Sequence, residues 1–303
     1  MADSSKFTGE RFLPDIQGSI ALEHWHRYLF AGAFVKDKRV LDAASGAGYG
    51  SRYMADSAKS VTAVDISAET IAIASRIYCR PNLTFLQGDV CSIPLPDNSF
   101  DVVVSFETIE HHDRHDQMTA EFKRLLVPDG LLVISSPDKK AYSDETGFRN
   151  PHHVKELYEA ELTGLLLRRF RHCRVLHQRA GAGSFIMSIE SRPAATVEDL
   201  RCHYSELSAQ SAGSVRREQG FAALYDVCLC SDGELPANSH SVLLLDSYLY
   251  AIAKDVECRM QQSATWRLGS LIVAPLRRLR QLARAVTGQP RSKVADCDHF
   301  ADM

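Results

Sequence analysis

Asp42, Asp65 and Asp89 each stand where a short apolar run ends, so a ligand that met all three carboxylates would need a particular chemistry. The first run lies in RVLDAASGAGYG (39–50), which passes from Asp42 through Ala44 into Gly46, Gly48 and Gly50. Glycines at every second position let the backbone turn sharply and approach a ligand with no Cβ in the way. The pattern is not that of a phosphate loop. Counted from Gly46 the last glycine of GxGxxG is Ser51, counted from Gly48 it is Tyr53, and no GK[ST] follows. A carboxylate ahead of the glycines repels phosphate and attracts an ammonium group. In SVTAVDIS (60–67), Asp65 ends a second buried run, where a carboxylate can hold a ribose diol through two hydrogen bonds. Asp89 follows NLTFLQG and is placed to receive an adenine amino group.

A second group, ETIEHHDRHD (107–116), closes the apolar run FDVVVSF. A neutral imidazole, with its ordinary pKa of about 6.5, is a suitable proton acceptor near neutrality. His111 is the first choice for that base and His112 the second, while His115 caps the next helix or faces water. His111, His112, His115, Asp113 and Asp116 also offer metal ligands. No HExxH spacing is present and neighbouring histidines point apart, so no metal is assigned.

These residues need elements to position them. Short β-branched runs alternate with helical patterns, which gives an α/β fold with a doubly wound, mostly parallel sheet. The three consecutive valines of FDVVVSFE suit a strand buried on both faces. An amine, a ribose and a nucleobase together describe S-adenosylmethionine. The segments DAASGAGYG, AVDIS, GDV, FDVVVSFETIEHH and LLVPDGLLVIS, taken in order, resemble the motifs of class I S-adenosylmethionine-dependent methyltransferases of the type 11-like kind, over roughly residues 35 to 180. The resemblance implies a seven-stranded Rossmann-like sheet with helices on both faces and an antiparallel last strand. It places Asp42, Ala44, Gly46 and Gly48 near the methionine part, Asp65 at the ribose and Asp89 at the adenine, with Ile66, Val90 and Phe106 completing the cofactor contacts. It also puts His111 in the motif that lines the acceptor pocket.

The remaining chain falls into three parts. Residues 1–34 are expected to form an N-terminal segment, with GERFLP (9–14) laid over the domain as a lid, and a helix from Ser19 to Phe34. Arg27 or Tyr28 on that helix could reach the methionine carboxylate; the alternative is a surface arginine and a half-buried tyrosine. Residues 35–232 are the methyltransferase domain, with CRVLHQRA (173–180) as sixth strand and FAALYDVCLCSD (221–232) as the antiparallel seventh. GSFIMSIE competes for that seventh place. An insertion at about 184–220 covers the acceptor side or makes a dimer contact. The polar stretch 136–153 reads as an acceptor lid, with His152 and His153 facing the substrate or starting the next helix.

Residues 233–303 are expected to form a helical, basic extension. Its helix over 239–262 has an apolar face that suits packing on the domain or on a second subunit. The stretch 265–293 carries arginines and a lysine but no acid, with Trp266 and several leucines between them, as in a helix on an anionic membrane surface; a solvated basic face is the alternative. Its TWRL and APLR segments resemble tails of bacterial surface-glycan enzymes.

Composition narrows the partners. The 303 residues carry a formal net charge of −3, so no global attraction to nucleic acid operates. The fourth strand also ends in SFET and not in an amine-methylating [DNS]PP[YF] motif. Eight scattered cysteines without a CxxC pair read as reduced thiols of a cytoplasmic protein, and MADSSKFTGE lacks the pattern of a signal peptide. The expected reaction is O-methylation of a sugar or glycan precursor for cell-surface polysaccharide, at the inner face of the membrane. The alternatives are another small-molecule acceptor, such as a quinone or natural-product precursor, and a non-catalytic cofactor-binding scaffold.

Overall fold

The computed structural model describes residues 12–13, 18–180, 183–187, 205–210, 214–219, 223–237 and 241–244. In chain order the elements that position the site are α1 (Ser19–Gly32), β1 (Arg39–Ala43), α2 (Tyr49–Met54), β2 (Ser60–Asp65), α3 (Ala68–Ile77), β3 (Leu83–Gln87) and β4 (Phe100–Ser105). They are followed by α4 (His115–Leu125), β5 (Leu126–Pro137), α5 (Glu159–Leu167), β6 (His172–Ala180), β7 (Gly183–Met187), β8 (Ser205–Gln210), β9 (Ser214–Gln219), β10 (Tyr225–Ser231) and β11 (Ser241–Leu244).

One sheet of nine strands runs in the order β11-β7-β6-β10-β5-β4-β1-β2-β3. Strands β1 to β5 pair in parallel, and β10 lies antiparallel between β5 and β6. The chain reverses from β3 at one edge to β4 beside β1, so the ends of β1 and β4 open a crevice at the switch in strand order. Alternation along β4 explains the valine run. Val102 and Val104 join the core that contains Phe30, Ala31 and Met54 of α1 and α2, whereas Val103 faces Met118, Phe122 and Leu166 of α4 and α5 on the other side. Cys228 and Cys230 obey the same rule and share the second core with Cys173.

Two readings of the sequence change. The sheet exceeds seven strands, because GSFIM adds β7 antiparallel to β6, while the segment chosen for the seventh strand holds its place as β10. The helix expected from Ser239 is instead strand β11 at Ser241–Leu244, whose SVLL pairs with the open edge of β7. An apolar run that short carries no period of its own, and an unpaired sheet edge decides its conformation. Residues 245–262 and the basic stretch 265–293 lie outside the described residues, as does most of GERFLP. Within the insertion the described residues form β7 and a separate hairpin of β8 and β9.

Candidate active site

A cavity of about 470 Å³ opens at the ends of β1, β2 and β4. Its floor is the turn after β1. Ala44 takes φ 65° there and Gly46 φ 53°, and Glu107 after β4 takes φ 48°. Positive φ on Ala44 and Glu107 is strained backbone held by its surroundings, of the kind that gathers at functional sites.

Asp65 ties this floor together. One of its carboxylate oxygens accepts the Gly46 N–H at 3.0 Å and the other accepts the Ser67 N–H at 2.9 Å. Ser67 also caps α3 by accepting the Thr70 N–H at 3.2 Å, so the loop after β1 and the start of α3 share one anchor. Asp65 also lines the cavity. Asp89 is half-buried at the rim, where Cys91 N–H donates to it at 2.9 Å and Arg114 pairs with it at 2.8 Å. Burial opposes its ionisation, but these bonds outweigh burial and hold its carboxyl below the usual range.

Of the residues assigned from the sequence, Ala44, Gly46, Asp65, Ile66, Asp89, Val90, Phe106, His111 and His112 all line the cavity. Asp42 and Gly48 do not. Asp42 is fully buried behind the floor, accepting Ser51 O–H at 2.5 Å and Tyr28 O–H at 3.3 Å. Burial pushes its carboxyl up to about 7 despite those two donors. Its place is that of a buried brace joining β1, α1 and α2, not of a group at the pocket mouth. At Gly48, φ is 80° and a Cβ would stand 2.7 Å from the Phe85 ring and 3.0 Å from the Ala74 Cβ. Crowding by the protein and the positive φ both favour glycine there.

The histidine cluster is divided by the structure. His112 has both ring nitrogens engaged, Nδ1 accepting Arg114 N–H at 3.1 Å and Nε2 lying 3.2 Å from Met118 Sδ. His115 Nε2 lies 2.6 Å from the His112 carbonyl. His111 has its Nδ1 3.0 Å from the His152 carbonyl and its ring edge-on to His153 at 5.2 Å. His153 lines the cavity and His152 does not. Glu156 backs His153, accepting from Nδ1 at 2.5 Å.

Sequence reading named only part of the other wall. Tyr142, Asn150 and Tyr225 come from the long connection after β5 and from β10, and Glu107 and Glu110 from the turn after β4. Glu107 and Glu110 stand within the ETIEHHDRHD group but receive no role from it, the lid stretch singles out neither Tyr142 nor Asn150, and β10 carries no motif that marks Tyr225. Arg27 is buried beside this wall, with Nε–H donating to Gln178 at 2.7 Å, a terminal nitrogen 3.5 Å from Glu107 and its guanidinium over the Tyr225 ring at 4.4 Å. It does not line the cavity; its neighbours Tyr28 and His24 do. Burial and the Arg27 charge lower the His24 imidazole to about 3, so it is neutral.

Residues 41–134 match the family described as a methyltransferase domain. A probable S-adenosylmethionine-dependent methyltransferase of Mycolicibacterium smegmatis is 36% identical over 166 residues, 52% of this chain and 62% of that protein. A demethylmenaquinone methyltransferase of Renibacterium salmoninarum is 34% identical over 112 residues, 37% of this chain and 46% of that one. The chain thus spans less than two thirds of the length of these curated relatives. The YcgJ protein of Bacillus subtilis shares the fold, with a TM-score of 0.51 at 18% identity over 70% of this chain and all of that one.

Proposed function

We propose that this chain, which carries a class I S-adenosylmethionine-dependent methyltransferase domain, methylates a hydroxyl group of a sugar or glycan precursor. The residues present fit that cofactor. The cavity is within the range of small-molecule sites, its floor is held open by Asp65, and the rim carries a second carboxylate at Asp89. Asp65 would hold the ribose, Asp89 the adenine, and Ala44, Gly46, Ile66, Val90 and Phe106 the faces between them. When bound, S-adenosylmethionine supplies an electrophilic methyl group on a sulfonium.

The observation that carries the choice of acceptor is the far wall. Glu107, Glu110, His111, Asn150 and His153 make it polar, and Tyr142 and Tyr225 offer rings beside them. Many hydrogen-bonding groups beside aromatic faces suit a hydroxylated ring more than a quinone or an acyl chain. Phe12, stacked on His24 at 4.7 Å, and Phe106, edge-on to Tyr28 at 5.2 Å, close the apolar side and exclude water. A sugar hydroxyl is weakly acidic, so its proton must be withdrawn at the end of the cavity that holds His111 and His153.

The test is transfer of an isotopically labelled methyl group to sugar nucleotides and lipid-linked saccharides, with quinones and fatty acids in parallel. Label on a saccharide oxygen supports the reading. Label only on a quinone or lipid refutes it in favour of the acceptors named for relatives such as the demethylmenaquinone methyltransferase. Among the described residues no helix is long and apolar enough to cross a membrane. Approach to lipid-linked substrate on the cytoplasmic face would fall to residues 265–293. Truncation after Gln262 should abolish binding to anionic liposomes, and undiminished binding would exclude that role.

A further inference from the structure

Glu110 is the anomaly of the acceptor wall. It is 1% exposed, and neither of its carboxylate oxygens accepts a hydrogen bond from another described residue. A buried carboxyl that no other residue satisfies is costly unless it keeps its proton or meets a cation, and its oxygens offer lone pairs to a cation in the cavity. Two histidines are at hand. One side-chain donor atom from each of Glu110, His111 and His153 lies within 4.8 Å of the other two, and all three residues line the cavity.

The imidazoles are supported from behind. A carbonyl can only accept, so the His152 carbonyl fixes the proton of His111 on Nδ1, the tautomer in which Nε2 is the nitrogen that can ligate a metal. Glu156 does the same for His153, whose Nε2 meets the Asn150 amide nitrogen at 3.0 Å. Histidines that bind metals are commonly backed in this way by a carbonyl or carboxylate. The two segments are also fastened to each other, because Val154 and Lys155 donate their N–H groups to the Glu110 carbonyl at 2.8 and 3.1 Å.

We propose that Glu110, His111 and His153 bind a divalent transition-metal ion at the acceptor end of the cavity. Two imidazoles and one carboxylate suit zinc, cobalt or iron(II), and not calcium or magnesium, which take oxygen ligands. Ligands about 2.1 Å from a tetrahedral ion stand about 3.4 Å apart. The three side chains must therefore draw in by about an ångström, and the ion displaces the Asn150 amide from His153. Three protein ligands leave a coordination position facing the cavity. An acceptor hydroxyl that takes it becomes more acidic, its proton leaves to solvent, and the oxygen remains on the ion as the nucleophile. That activation rests on the O-methylation reading; the binding site does not.

The test uses the full chain under reducing conditions, titrated with cobalt(II) and followed by visible absorption and heat. One cobalt per chain is expected. Glu110→Gln and His153→Ala should each weaken binding about tenfold or more while leaving the affinity for S-adenosylhomocysteine unchanged. If one variant loses S-adenosylhomocysteine binding, and with it the fold, the other decides. Absence of stoichiometric cobalt binding, or equal binding by wild type and folded variants, overturns the proposal. Cobalt binding without methylation of any saccharide leaves the metal site standing and refutes the acceptor reading. Saccharide methylation without cobalt binding does the reverse.

Discussion

Replacing Asp65 separates a cofactor contact from a structural one. In the native chain its two oxygens accept the N–H groups of Gly46 and Ser67 at 3.0 and 2.9 Å, and Asp65 is only 5% exposed. Asp65→Ala removes a charged acceptor from a bound ribose, an interaction of about 1.5–3 kcal/mol. It also releases the Gly46 turn, so the floor must be reordered on binding. The first of these alone predicts a loss of about 1.5–3 kcal/mol, or roughly ten- to 150-fold, in S-adenosylhomocysteine affinity measured by calorimetry, and reordering of the floor adds to it. Asp65→Asn is the sharper variant. Its amide keeps the shape but turns an N–H group toward one of the two backbone donors, so it should lose nearly as much as alanine. Wild-type affinity in a folded Asp65→Ala protein would refute both the ribose contact and the coupling through Gly46.

His111→Ala should leave S-adenosylhomocysteine affinity intact and lower turnover about 10²- to 10⁴-fold, checked by single-turnover methyl transfer. Asp42, raised by burial from 3.8 to about 7, keeps its proton in the native state where the unfolded chain has lost it. Its contribution to stability therefore falls as pH rises from about 4 to about 7, against the opposite contribution of the neutral His24; Asp42→Asn should remove that contribution and shift the slope of stability against pH upward in thermal melts, and an unaltered slope would contradict the assignment. Glu23 and Asp226, raised by burial to about 7 and 8, contribute in the same direction as Asp42 and are unaffected by that variant. A Cβ on residue 50 would stand 2.1 Å from the Tyr28 ring, so Gly50→Ala should cost about 2–3 kcal/mol and lower the melting temperature by several degrees.

The cofactor side was legible because its residues cluster along the chain. Ala44 and Gly46, Asp65 and Ile66, and Asp89 and Val90 each end a strand or follow one within three residues, so finding the strands finds the residues. The same logic misled at Asp42. Side chains alternate along β1, and a residue still within the strand points into the core, where Ser51 and Tyr28 receive it. The acceptor side was legible at His111 and His112 and, as one of two readings, at His153 in the stretch expected to form a lid, whereas Asn150 and Tyr225 reach the cavity through long-range folding of a polar connection and an antiparallel strand. Glu110 was passed over for a further reason. Its neighbours in EHH drew attention as bases, while burial, which makes an acid chemically conspicuous, has no local sequence signal.

The most direct measurement is calorimetric titration of the purified chain with S-adenosylmethionine and S-adenosylhomocysteine. One-to-one binding in the micromolar range, weakened by Asp65→Ala, is the expected result. No heat from either ligand at millimolar concentration, with the chain folded, would contradict the cofactor assignment on which the proposed reaction depends.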